Sequence, residues 1–176
     1  PFKKIFLFAL PLAIGHMLQT LYALGDTLIV SLSRGELVVT GINLTSSLIF
    51  LVNGFAQGFT AGFGIKLSQY VGAKKEDLMR KSVATSLILT TTVSLILSVI
   101  FIILAPSILT LMKTNEQFME YAVDYIRAIF AGILFTSMYN LSAHFMRAMG
   151  DSKTPLTILI ICAILNIVLN SLLFIT

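Results

Sequence analysis

This sequence has little charge, one cysteine, and no cluster of the kind that holds a metal or a phosphate. Asp, Glu, Lys and Arg make up 11% of its 176 residues, against about 25% in a typical soluble domain. The shortfall excludes an ordinary soluble fold, because a protein in water still needs polar side chains to cover its surface. Lipid removes that need. Cys162 stands alone in an apolar run, which excludes an internal disulfide and leaves the redox compartment open. No His/Cys set has metal-ligand spacing and no phosphate-binding loop is present, so neither enzymatic chemistry nor a cofactor is expected. No cleavable signal peptide is visible, since the first apolar run is too long for one and lacks a small-residue cleavage site. No segment repeats another.

What the sequence does have is apolar length. Hydrophobic residues make up 57% of it, gathered into five runs at 5–32, 37–70, 82–105, 118–146 and 155–176. Each reaches the roughly 20 residues that a membrane-crossing helix requires. None shows the strict alternation of a membrane β-barrel. The expected fold is an all-α, polytopic membrane bundle of five helices forming one domain over 1–176. Both ends are expected to be cut, because the chain opens at Pro1 and closes at Thr176 inside an apolar run.

The formal charge of +4 does not point to nucleic acid, because the basic residues sit in short loops between apolar runs. Placing the N-terminus in the cytoplasm puts Lys3, Lys4, Lys66, Lys74, Lys75, Arg80, Lys81, Arg147 and Lys153 inside. Arg34, Lys113 and Arg127 then fall on the outer side. That asymmetry satisfies the positive-inside rule, and Tyr70, Tyr121 and Tyr125 fall at the expected interfaces.

Few polar residues interrupt the spans, and each needs a reason to be there. Asp26 lies about 30 Å along the first helix at ~1.5 Å per residue, in the outer part of the membrane. Carboxylates within spans usually face a bundle interior or a wet cavity and mark ion or proton sites, the plain alternative being an interfacial Asp that reaches water. Gln19 lies two turns below it on the same face. Asn166 and Asn170 share a face of the fifth helix, at a depth overlapping the lower side of Asp26. Two amides and a carboxylate supply oxygen ligands for Na+ or hydrogen-bond partners for a titrating carboxyl group. An interhelical amide lock is the structural alternative.

Tyr139, Asn140, Tyr125, Asp124 and Arg127 form a second polar group on the fourth helix, with Asp124 and Arg127 spaced to pair with each other. His16 and His144 read as packing residues. Gly54, Gly58 and Gly62 repeat every four residues, the spacing of a close helix–helix contact. Pro11 should bend the first helix, while Pro106 and Pro155 should mark helix edges.

Three stretches resemble one family. Pro11-Leu12-Ala13-Ile14 with Gln19 and Asp26-Thr27 looks like the first helix of the MATE family of multidrug and toxic-compound extruders. Ser68-Gln69-Tyr70-Val71-Gly72-Ala73-Lys74 is similar to the end of its second helix. Phe145-Met146-Arg147-Ala148-Met149-Gly150-Asp151-Ser152-Lys153-Thr154-Pro155 resembles its loop between helices four and five.

The resemblance implies two six-helix bundles around a central cavity, with this chain as most of the N-terminal bundle and a C-terminal bundle as its partner. It implies export of lipophilic, often cationic, drug-like compounds across the plasma membrane in exchange for H+ or Na+. It also implies an ion site centred on Asp26 and lined by positions matching Gln19, Tyr125, Asn140, Asn166 and Asn170, with a bend at Pro11. Some members carry an aspartate where Asn170 stands, so the paired-carboxylate version of that site is absent. A lipid-linked precursor flippase of the same superfamily and a non-transporting truncated fragment are the competing readings. Such flippases often use cavity arginines, and here Arg127 alone lies within a span.

Overall fold

The structure, a computed structural model, describes the backbone at residues 3, 6, 8–15, 17–21 and 36–175. Side chains are described at the same positions except 36–42, 170, 171 and 173–175. Among the described residues there is no strand. The helices are α1 (Phe8–Leu21), α2 (Glu36–Gly72), α3 (Glu76–Leu111), α4 (Glu116–Ala131), α5 (Ile133–Ala148) and α6 (Lys153–Ile175). With 37 and 36 residues, α2 and α3 are each about 55 Å long, more than the ~40–45 Å of a whole bilayer.

The chain divides into two compact units, Thr40–Met149 and a second made of Pro1–Val39 with Gly150–Thr176. In the first, α3 packs along α4 and α5. Its core gathers Val52 of α2, Ala105 and Leu109 of α3, Ala122, Val123, Ile126 and Phe130 of α4, and Ile133 of α5. The Phe101 and Phe130 rings meet at 4.9 Å.

Helix α3 buries small hydroxyl residues over its first two-thirds and turns large apolar ones outward. Its buried residues are Ser86, Thr90, Ser94, Ser98, Ala105 and Leu109, while Ile88, Ile96, Val99 and Ile103 are exposed. The most apolar window of α3 has a mean hydropathy of 2.7, yet only 17% of it is buried within the structure. In water this would be an intolerable apolar surface. In lipid it is the expected arrangement, because small residues let helices approach and the large apolar ones face acyl chains.

Three expectations are corrected. Among the described residues the glycine stripe of α2 is not its packed face: a methyl at Gly54, Gly58 or Gly62 would meet nothing within 4 Å. The buried stripe is instead Thr45, Val52, Ala56, Thr60 and Leu67. On that side Gly64 is the close approach, since a Cβ there would stand 2.8 Å from His144 Cβ. Pro106 does not end α3 but lies inside it.

The run 118–146 is two helices, broken at Gly132. Gly132 N–H reaches back only to Ile129 O at 3.0 Å, and Thr136 N–H resumes the α-pattern on Gly132 O at 3.1 Å. Ser98 Oγ–H donates to Phe130 O at 2.8 Å. That bond meets the rule that backbone groups at membrane depth must be satisfied within the protein.

Two helix ends share one design. After α2, Lys74 takes φ 55, with Lys74 N–H on Val71 O and Lys75 N–H on Tyr70 O. After α3, Lys113 takes φ 56, with its own N–H on Thr110 O and Thr114 N–H on Leu109 O. Both are left-handed caps of the Schellman pattern. At the start of α6, Asp151 Oδ1 accepts from the N–H groups of Lys153 and Thr154, both at 3.0 Å. These bonds, with the Thr154 hydroxyl foremost, hold the Asp151 carboxyl below the usual carboxylate range. Pro155 then falls in the first turn, where its missing N–H costs the helix little.

Candidate functional site

Of the expected ion-site residues, Gln19 and Asn166 belong to the unit containing α1 and α6. There α1 packs on α6 through Gly15, where a Cβ would lie 3.7 Å from both Leu156 Cδ1 and Leu159 Cδ2. Gln19 is one turn beyond Gly15 and exposed; Asn166 is two turns beyond Leu159 and half-buried. Gln19 follows Gly15 by four residues and Asn166 follows Leu159 by seven, the spacings that repeat one face of an α-helix. Pro11 is half-buried within α1. Asp26 and the side chain of Asn170 lie outside the described residues. In the other unit, Tyr125 of α4 and Asn140 of α5 are both half-buried.

Arg127 has a specific backbone partner. Pro106 carries no N–H, so the carbonyl four residues earlier, Ile102 O, loses its helical donor. Arg127 Nε–H points at that oxygen, at 3.4 Å. An arginine inside a span thus repairs a proline interruption. Reasoning from sequence missed this, because it treated Pro106 as a helix end and Asp124 as the natural partner. An in-span proline followed by an unexplained arginine on the next helix is the signal that was available.

His144 behaves as a packing residue against Gly64, as read from sequence. Arg147 Nη1 lies 3.3 Å from His144 Nδ1. Arg147 Nε is buried with no hydrogen-bond partner among the described residues. Of the aromatic residues of the fourth span, Phe130 is fully buried and Phe135 is 76% exposed.

The MatE family model matches residues 11–172. The chain belongs to the MatE family. Among curated relatives, it is 32% identical over 167 residues to the probable multidrug resistance protein YoeA of Bacillus subtilis, covering 95% of this chain and 36% of that one. It is 25% identical over 165 residues to a protein of Shewanella oneidensis named as an FAD transporter, covering 94% and 36%.

Among solved structures, a MATE protein in the bent conformation superposes with a TM-score of 0.88 at 25% identity, over 97% of this chain and 38% of that one. The MATE multidrug transporter DinF-BH superposes with a TM-score of 0.81 at 25% identity, over 97% and 38%. The chain therefore spans less than two fifths of the length of these relatives. Its fold is that of the N-terminal lobe of a MATE transporter, a multi-pass membrane bundle.

Proposed function

We propose that this MatE chain forms the ion-coupling lobe of a secondary antiporter that exports lipophilic, cationic compounds in exchange for H+ or Na+. It acts together with a C-terminal bundle in the plasma membrane, and its N-terminus faces the cytoplasm. The observation that carries the reading is the packing of α1 on α6 at Gly15. In a bundle of alternating spans the first and fifth run parallel, so equal steps from a contact reach equal depth. Gly15 stands level with Leu156 and Leu159, which makes neighbours of the helices that carry Gln19 and Asn166; Asp26 joins them as the carboxylate expected from the sequence.

Relatives named for multidrug resistance and multidrug transport, YoeA and DinF-BH among them, support a drug-like substrate. Arg127 weighs against a lipid-linked precursor flippase, because its Nε–H is directed to Ile102 O. In the proposed site Asp26 binds the coupling ion. Gln19, Asn166 and Asn170 supply oxygens or hydrogen bonds around it.

Asp26→Asn in the full-length protein tests this. The neutral isostere keeps the shape and removes the charge, so efflux of a cationic dye driven by an ion gradient should stop while expression and dye binding persist. Efflux at the unaltered rate would demote Asp26 to an interfacial residue.

A further inference from the structure

The ends of α2 and α3 nearest their connecting turn enclose an open cleft of about 310 Å³. Phe63, Lys66 and Tyr70 face it from α2; Leu78, Lys81 and Ser82 face it from α3. No carboxylate is among its lining residues. Lys66 Nζ sits 5.2 Å from the centre of the Tyr70 ring, a cation–π contact that holds the ammonium at the cleft wall. Phe63 and Leu78 make the rest of the wall apolar.

The depth of the two lysines decides what such a cleft takes. Lys66 is six residues before Gly72 and Lys81 five after Glu76, so they lie about 9 Å and 7.5 Å inside the helix ends at ~1.5 Å per residue. Both helices outrun the bilayer, which puts these ammonium groups at the headgroup layer rather than in bulk water. Lysines at that level extend towards the polar surface along their apolar stems, and Tyr70 suits the same level. A positive cleft at that height, with hydroxyl and aromatic walls, matches a phosphodiester whose acyl chains continue down the helices.

The geometry points to a binding site for the phosphate headgroup of an anionic phospholipid between α2 and α3, held by Lys66, Lys81 and Ser82. Basic pockets between spanning helices recognise lipid headgroups in this way. The lipid would brace the α2–α3 hairpin from the side.

Native mass spectrometry of the full-length detergent-solubilised protein tests it, titrating dioctanoyl phosphatidylglycerol, dioctanoyl phosphatidylcholine and inorganic phosphate separately. Phosphatidylglycerol should bind at least about 10-fold more tightly than phosphatidylcholine, and inorganic phosphate should neither bind comparably nor displace it. The double variant Lys66→Gln/Lys81→Gln should weaken phosphatidylglycerol about 30-fold, roughly one surface-cation contribution from each lysine. Lys66→Arg/Lys81→Arg should retain it. Lys74→Gln/Lys75→Gln, which removes equal charge from the turn outside the cleft, should change it by less than about twofold.

If the double variant does not fold, Lys81→Gln alone should still weaken binding about fivefold. Equal binding of the two lipids, or equal loss from the turn variant, would reduce the cleft to general surface charge. Inorganic phosphate binding as well as the lipid would make it a free-anion site instead.

Discussion

The pairing of Arg127 with the carbonyl that Pro106 leaves free makes a quantitative prediction. The Nε–H···O distance of 3.4 Å is long, and a bond of that length is weaker than one at the usual ~2.9–3.0 Å. Arg127 is also exposed. Hydrogen bonds between transmembrane helices average ~0.6 kcal/mol and reach ~1.7. The expected loss for Arg127→Met is therefore about 0.5–1 kcal/mol, a factor of roughly 2–5 in the folding equilibrium.

Pro106→Ala restores an N–H four residues beyond Ile102, so in that background the same Arg127→Met change should cost close to nothing. Reversible unfolding of the full-length protein by SDS titration in mixed micelles gives all four corners of the cycle. The coupling should equal most of the single-variant loss. Arg127→Lys, which keeps the charge but loses the guanidinium fork, should fall between. An equal loss with and without Pro106 would refute the reasoning and leave Arg127 with some other task.

The two kinds of glycine on α2 should also separate. Gly64→Ala forces its methyl against His144 Cβ and should destabilise the protein by about 1–3 kcal/mol, whereas Gly58→Ala meets nothing and should be neutral or slightly stabilising; equal effects in a thermal-unfolding series would contradict the observed packing face. For orientation, cysteines at Lys4, Lys75 and Lys153 in a Cys162→Ser background should resist an impermeant thiol reagent in intact cells, while one at Lys113 reacts. The reverse labelling pattern would invert the topology.

Composition and run length determined that this is a helical membrane protein, and short motifs determined which family it resembles. Those properties are sums along the chain. A run of about twenty apolar residues crosses a bilayer whatever its neighbours, and the motif at 145–155 is read without folding it. The helix contacts were not legible in the same way. In water the buried face of a helix is its apolar face, so periodicity reveals it; in lipid both faces are apolar and that signal vanishes. Hence the conspicuous glycines at 54, 58 and 62 drew attention while α2 packs through Thr45, Val52, Ala56, Thr60 and Leu67, with Gly64 against His144.

The same holds for backbone defects. Pro106 looked like an end and Gly132 like an ordinary residue, because both depend on a donor from a different helix. Arg127 stands beside Ile102 O and Ser98 beside Phe130 O, and a defect in lipid is tolerated only where such a partner exists. The sequence of a span says that it crosses the membrane. Which of its carbonyls may be left free, and which small residue meets a neighbour, is decided when the helices are side by side.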